Sequence, residues 1–187
     1  MADDVDLYLW IWSVYWFFCC VDAFLNREFP EVSMAWGAFL GPFIGAGMRP
    51  VGGWLADKIN SGSKITLYSL FLMLASCIVV LLGLQAHSFG MFFGAFLMLF
   101  LTTGFVNGAS FRMIPYIFSN PVHSSLVTGF TAAIAAYGAF LIPKIFGWAY
   151  STYNLVTPAF YVLIAFTVIT IAITWIFYAR PNSGIKC

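Results

Sequence analysis

The sequence predicts an all-α integral membrane protein of six transmembrane helices, and three observations predict it. Of 187 residues, 62% are apolar and only 8% charged, with a mean hydropathy of +0.93; soluble domains carry about 45–50% apolar and about 25% charged residues. Eight Lys/Arg and seven Asp/Glu cannot cover a soluble surface of this size, so a bilayer is the solvent that suits it. The apolar residues fall into stretches near the roughly 20 residues that cross about 30 Å of hydrocarbon. Polar punctuation separates them at Asn26 to Pro30, Asp57 to Lys64, Gln85 to Ser88, Ser119 to His123 and Ser151 to Thr157.

The first span is expected at about 7–25. Asp3, Asp4 and Asp6 precede it, where a cleaved signal would be basic, so it is expected to stay in the mature protein. The second span, 34–56, carries Gly37, Gly41, Gly45 and Arg49 at four-residue steps, followed by Pro50. The third covers 65–86. The fourth, 89–118, contains Gly104, Asn107, Gly108 and Arg112. The fifth, 124–150, has Lys144 near its outer end, and the sixth covers 158–178. An even number of spans puts both termini on one side, together with Lys58, Lys64, Arg180 and Lys186; Arg27 and Lys144 fall on the other. The positive-inside rule then makes the termini cytoplasmic. Short loops and the lack of any linker make residues 1–187 a single bundle.

Several function classes are not indicated. A net charge of +1 gives no footprint for nucleic acid. Cys19 and Cys20 are adjacent, Cys77 is alone and Cys187 is terminal, which is neither a metal-ligand spacing nor a disulfide framework; no metal and no cofactor are expected. His87 and His123 lie in loops without a catalytic partner at a recognisable spacing, so an enzyme is not expected.

The informative residues are those whose insertion costs free energy. An arginine inside a span costs about 2.5–3.5 kcal/mol on insertion scales, and Arg49 is such a residue. Glycines at four-residue steps let a neighbouring helix approach closely and turn Arg49 toward the bundle interior. Pro50 removes one helical hydrogen bond and is expected to kink or loosen the helix there. The acids, Asp3, Asp4, Asp6, Asp22, Glu28, Glu31 and Asp57, are all terminal, near span ends or in loops, so the expected partner of Arg49 is an external anion. A planar, forked guanidinium suits a small planar oxyanion. The alternative is an arginine that snorkels to the interface. Asn107 can bond across helices or to a ligand, while Gly104 and Gly108 form a second close-packing pair. Arg112, six residues before the end of its span, is expected to snorkel. Most aromatics are expected at the lipid face or in interfacial belts; Tyr15, Trp16 and Phe18 are alternatively one wall of a substrate cavity.

Four segments carry a family resemblance. GGWLADK sets Gly53, Asp57 and Lys58 after an even-numbered span and resembles the loop in which major facilitator proteins lock two helix ends together. FPEVSMAWGAFLGPFIGAGMRPVGG and LFLTTGFVNGASFRMIPYIF resemble the eighth and tenth helices of nitrate/nitrite porters of the NarK type, and TGFTAAIAAYGAFLIPKIFG is similar to their eleventh. The resemblance implies the C-terminal six-helix half of a twelve-helix antiporter or symporter that moves nitrate and nitrite by alternating access in the bacterial inner membrane. It further implies Arg49 as the substrate arginine, Gly129 and Ala132 near the anion, Tyr15 and Trp16 as the loosely matched aromatic pair, and Gly53, Asp57 and Lys58 as a gating loop. The N-terminal half, with its own substrate arginine, has no counterpart here, the first span is shorter than the family's, and Ala135 and Ala136 stand where glycines are common. Two arrangements are therefore expected: a homodimer, or a separate N-terminal half without which this chain does not transport. Another small anion as substrate is a third possibility.

Overall fold

The computed structural model of the chain describes residues 35–179, of which 35–39, 42 and 134–143 are described by their backbone alone. The first predicted span, with Tyr15 and Trp16, lies outside the described residues. Five helices follow one another: α1 (Ala35–Ile59), α2 (Gly62–Gln85), α3 (Phe89–Ile117), α4 (Pro121–Tyr153) and α5 (Thr157–Thr174), the last continued by a π-helical turn at Trp175–Ala179. Among the described residues, α2, α3 and α5 with its π-turn are long and apolar enough to cross a membrane.

The helices run past the apolar edges expected for the spans because their ends are set by capping groups. Between α1 and α2 only Asn60 and Ser61 intervene. Asn60 takes φ 53°, its N–H donates to the Asp57 carbonyl (3.1 Å) and that of Ser61 donates to the Ala56 carbonyl (3.3 Å). This paired closure is the Schellman arrangement. The hydroxyl of Ser61 then accepts from the N–H of Lys64 (3.4 Å) and caps α2. Asp57 and Lys58, expected in a loop, therefore lie in the last turn of α1. The same closure recurs after α2: His87 takes φ 48°, and the N–H groups of His87 and Ser88 donate to the carbonyls of Leu84 (3.2 Å) and Gly83 (3.1 Å). Helix α4 begins at Pro121, three residues before the expected span, because Asn120 accepts from the Val122 N–H (2.9 Å) and proline suits a first turn. Its far end closes through Asn154, at φ 52°, with a single bond to the Tyr150 carbonyl (2.8 Å).

Helix α3 is the hub, packed along its length against both α1 and α2; α2 also packs on α5, and α4 touches α3 and α5 only lightly. Leu70, Met73, Cys77 and Val80 of α2 meet Phe92, Phe96, Leu99 and Phe100 of α3 and Phe160 and Leu163 of α5 in one buried cluster. Phe92, Phe96 and Phe100 form a ladder with ring centroids 5.5 and 5.1 Å apart. These phenylalanines belong to the core and not to the lipid face expected of most aromatics. Lipid is as apolar as the core, so close packing and dispersion hold the cluster together. Tyr68, Phe71, Ile78 and Leu82, on the opposite face of α2, are exposed, as a lipid-facing surface requires.

Several of the hydroxyls buried in these helices bond to their own backbone. Ser76, Thr102, Thr103, Ser110, Thr167 and Thr170 donate to carbonyls three or four residues earlier at 2.6–2.9 Å, which removes the cost of bare donors in hydrocarbon.

His87 sits where a β-branched residue is sterically excluded. His87→Val is expected to lower unfolding stability by about 1–2 kcal/mol, while His87→Gly leaves it equal or higher; thermal melts in detergent compare the two.

Candidate anion site at the crossing of α1 and α3

The glycines of α1 and α3 mesh in register. A Cβ on Gly41 would overlap the ring of Phe100; one on Gly104 would come within 2.5 Å of the Gly45 carbonyl oxygen; one on Gly108 would overlap the Arg49 carbonyl oxygen and lie 2.8 Å from the Gly53 nitrogen. Each step of four residues along α1 matches a step of four along α3, so the helices run parallel with backbones in direct contact. The Gly52 position faces the Phe105 carbonyl at 2.6 Å in the same way. Only hydrogen in place of Cβ permits this approach.

Arg49 sits in the middle of the seam. It is half-buried and its Nε is enclosed by protein. Helix α1 continues unbroken through Pro50, so the loosening expected there does not amount to a break. The backbone of Arg49 lies against Gly108, the neighbour of Asn107. Asn107 is 5% exposed, and its amide Nδ2 finds no acceptor among the described residues. A buried donor left without a partner costs about 1–3 kcal/mol. The crossing thus sets the backbone of Arg49 against the helical turn that carries an amide donor. Thr66 Oγ1, in α2, is likewise buried without a partner among the described residues.

Gly129 and Ala132 of α4 are exposed, and a Cβ on Gly129 would meet nothing within 4 Å. The structure holds these two positions on an open face and does not bring them to the α1–α3 crossing. No group of three or more His, Cys, Asp or Glu among the described residues is arranged to hold a metal ion.

One turn beyond Gly108 the seam ends in an ion pair. Arg112 Nε donates to Asp57 Oδ1 at 2.5 Å, with 9% of the arginine side chain and 60% of the aspartate exposed. The guanidinium lies 4.0 Å over the ring of Tyr116. Arg112, expected to snorkel, spends its charge on Asp57 and ties α1 to α3. Sequence reasoning missed this pair. Its signal was present in the spacing: Arg112 follows Gly108 by four residues, as Asp57 follows Gly53. Lys58, beside Asp57, stacks instead on Trp54, 5.2 Å from the ring centroid.

Overpacking the seam is expected to separate α1 from α3. Gly108→Val should lower stability by about 1–3 kcal/mol, whereas Gly94→Ala, where no atom lies within 4 Å of the added methyl, should not; denaturation followed by tryptophan fluorescence separates the two. A double-mutant cycle of Asp57→Asn and Arg112→Gln is expected to return a coupling of about 0.5–1 kcal/mol, since one partner is open to solvent.

No family profile matches the chain. It is 33% identical over 184 residues to the nitrate/nitrite transporter NarU of Escherichia coli (strain K12), covering 86% of this chain and 40% of the relative. It is 32% identical over 178 residues to NarU of Salmonella typhimurium, covering 83% and 38%. The probable nitrate/nitrite antiporter NarK2 of Thermus thermophilus is 33% identical over 153 residues, covering 80% and 34%. The chain thus spans about two fifths of the length of the curated relatives it matches. With an apolar helical bundle of membrane-crossing length, these relatives, transporters and not enzymes, identify the chain as an integral membrane protein and a partial homologue of the nitrate/nitrite transporters.

Proposed function

We propose that this chain moves nitrate and nitrite across the bacterial inner membrane by alternating access, as the C-terminal six-helix half of a major facilitator transporter with cytoplasmic termini. The observation that carries the reading is Arg49, half-buried in the middle of a helix crossing, in a chain whose relatives are nitrate/nitrite transporters. Nitrate and nitrite accept hydrogen bonds and carry one negative charge. A guanidinium offers a planar fork of charged donors to such an anion. The unspent amide of Asn107, one residue from the glycine that touches Arg49, offers a neutral donor. Gly129 and Ala132, open on α4, and Tyr15 and Trp16 of the first span would complete the cavity from other sides.

The ion pair of Asp57 and Arg112 supplies a gate. Gly53 lets α1 and α3 close against each other, Asp57 holds Arg112 while that end is shut, and Lys58 flanks the contact. The pair is partly solvated and worth about 1 kcal/mol or less, so it can break on the time scale of transport without a large penalty.

The other half of the cavity comes from a second body. A second copy of this chain, related by an axis along the membrane normal as the halves of these transporters are, would present Arg49 from both sides. A separate N-terminal half is the second reading.

Nitrate/nitrite counterflow into liposomes holding only this chain tests the proposal. Exchange is expected, with its apparent affinity reduced about tenfold or more in Arg49→Lys, as the loss of a charge-assisted hydrogen bond would require, and abolished in Arg49→Ala. Asn107→Ala should weaken affinity less. Exchange that survives Arg49→Ala unchanged would remove Arg49 from the site. Folded protein that gives no exchange and runs as a strict monomer in mild detergent would rule out the homodimer in favour of a separate partner half.

A further inference from the structure

We propose that the corner where α1 turns into α2 binds the headgroup of an anionic phospholipid. Lys58 lies in the last turn of α1 and Lys64 in the first turn of α2, with the two-residue connection Asn60–Ser61 between the helices. Both lysines are exposed. Asp57 is the only acid among the described residues, and it is held by Arg112. The two ammonium groups therefore face no carboxylate among the described residues.

The surroundings favour a lipid over a soluble anion. Trp54, 60% exposed, lies under Lys58, and Tyr68, 71% exposed, follows Lys64 by one helical turn. Exposed tryptophan and tyrosine settle at the level of lipid headgroups, so the lysines beside them sit at phosphate depth. Phe71 and Leu72, both exposed on the next turn of α2, continue the same face as a surface for acyl chains. Lys64, Tyr68 and the apolar pair Phe71 and Leu72 thus follow one another along one face of α2 in the order in which a phospholipid presents phosphate, glycerol and chain, with Lys58 and Trp54 across the two-residue turn. A lysine at a membrane surface favours anionic headgroups by about fivefold, and two acting together give roughly twenty-five-fold.

Native mass spectrometry of the full chain, released from detergent holding equal phosphatidylglycerol and phosphatidylcholine, reads this directly. Phosphatidylglycerol is expected to be retained over phosphatidylcholine by roughly twenty-five-fold. Lys58→Gln with Lys64→Gln should erase the preference, Lys58→Arg with Lys64→Arg should keep it, and so should Lys144→Gln on α4. A thermal melt of the glutamine pair checks that it folds; if it does not, the two single glutamine variants, each expected to lose about fivefold, decide. The proposal is overturned if both lipids are retained equally, if the preference persists without the lysines, or if millimolar inorganic phosphate displaces phosphatidylglycerol, which would mark a site for free phosphate.

Discussion

Backbone contact between α1 and α3 is the constraint on which the rest of the structure depends. Two helices of ordinary composition pack about 8–10 Å apart; here Gly52, Gly104 and Gly108 leave no room for even a Cβ. In a bilayer no water is released when apolar helices meet, so dispersion at close range must hold them. That requirement selects glycine at every fourth position, and it places Arg49 where a guanidinium would otherwise face lipid. The same seam fixes Asn107, because the residue beside it, Gly108, cannot move away from the Arg49 carbonyl.

Polar groups inside this bundle follow two regimes. Most hydroxyls, Thr66 excepted, are spent on the carbonyls of their own helices, as in Ser76, Thr103 and Thr167, so they neither hold neighbours nor offer themselves to a ligand. Asn107 is different, since its amide nitrogen is buried with nothing to donate to among the described residues. The contrast makes it chemically distinct from the serines and threonines around it.

Much of the arrangement was legible in the sequence. Composition alone specified a helical membrane protein, the four-residue glycine steps announced close approach by another helix, and Gly104 with Gly108 announced a second close-packing surface, though not that the two would meet each other. Helix ends were less legible, because hydropathy marks the stretch that suits lipid, whereas α1 and α4 extend to caps at Asn60 and Asn120 that are polar. The pair of Asp57 and Arg112 was hidden for a different reason: it joins residues 55 apart in sequence, and only the parallel register of the two helices makes them neighbours. Gly129 and Ala132, to which a motif points, lie on an open face of α4.

The seam is fastened by different physics at its two ends. Around Gly41 and Gly45 it is held by shape, which depends neither on salt nor on protonation. At Asp57 and Arg112 it is held by charge, with the aspartate largely in solvent, so counterions compete for it. Ionic strength therefore acts on the crossing as a one-sided control, slackening the charged end while the glycine end stays clamped. A pair of helices held this way splays like a hinge instead of sliding apart, with its pivot among the glycines.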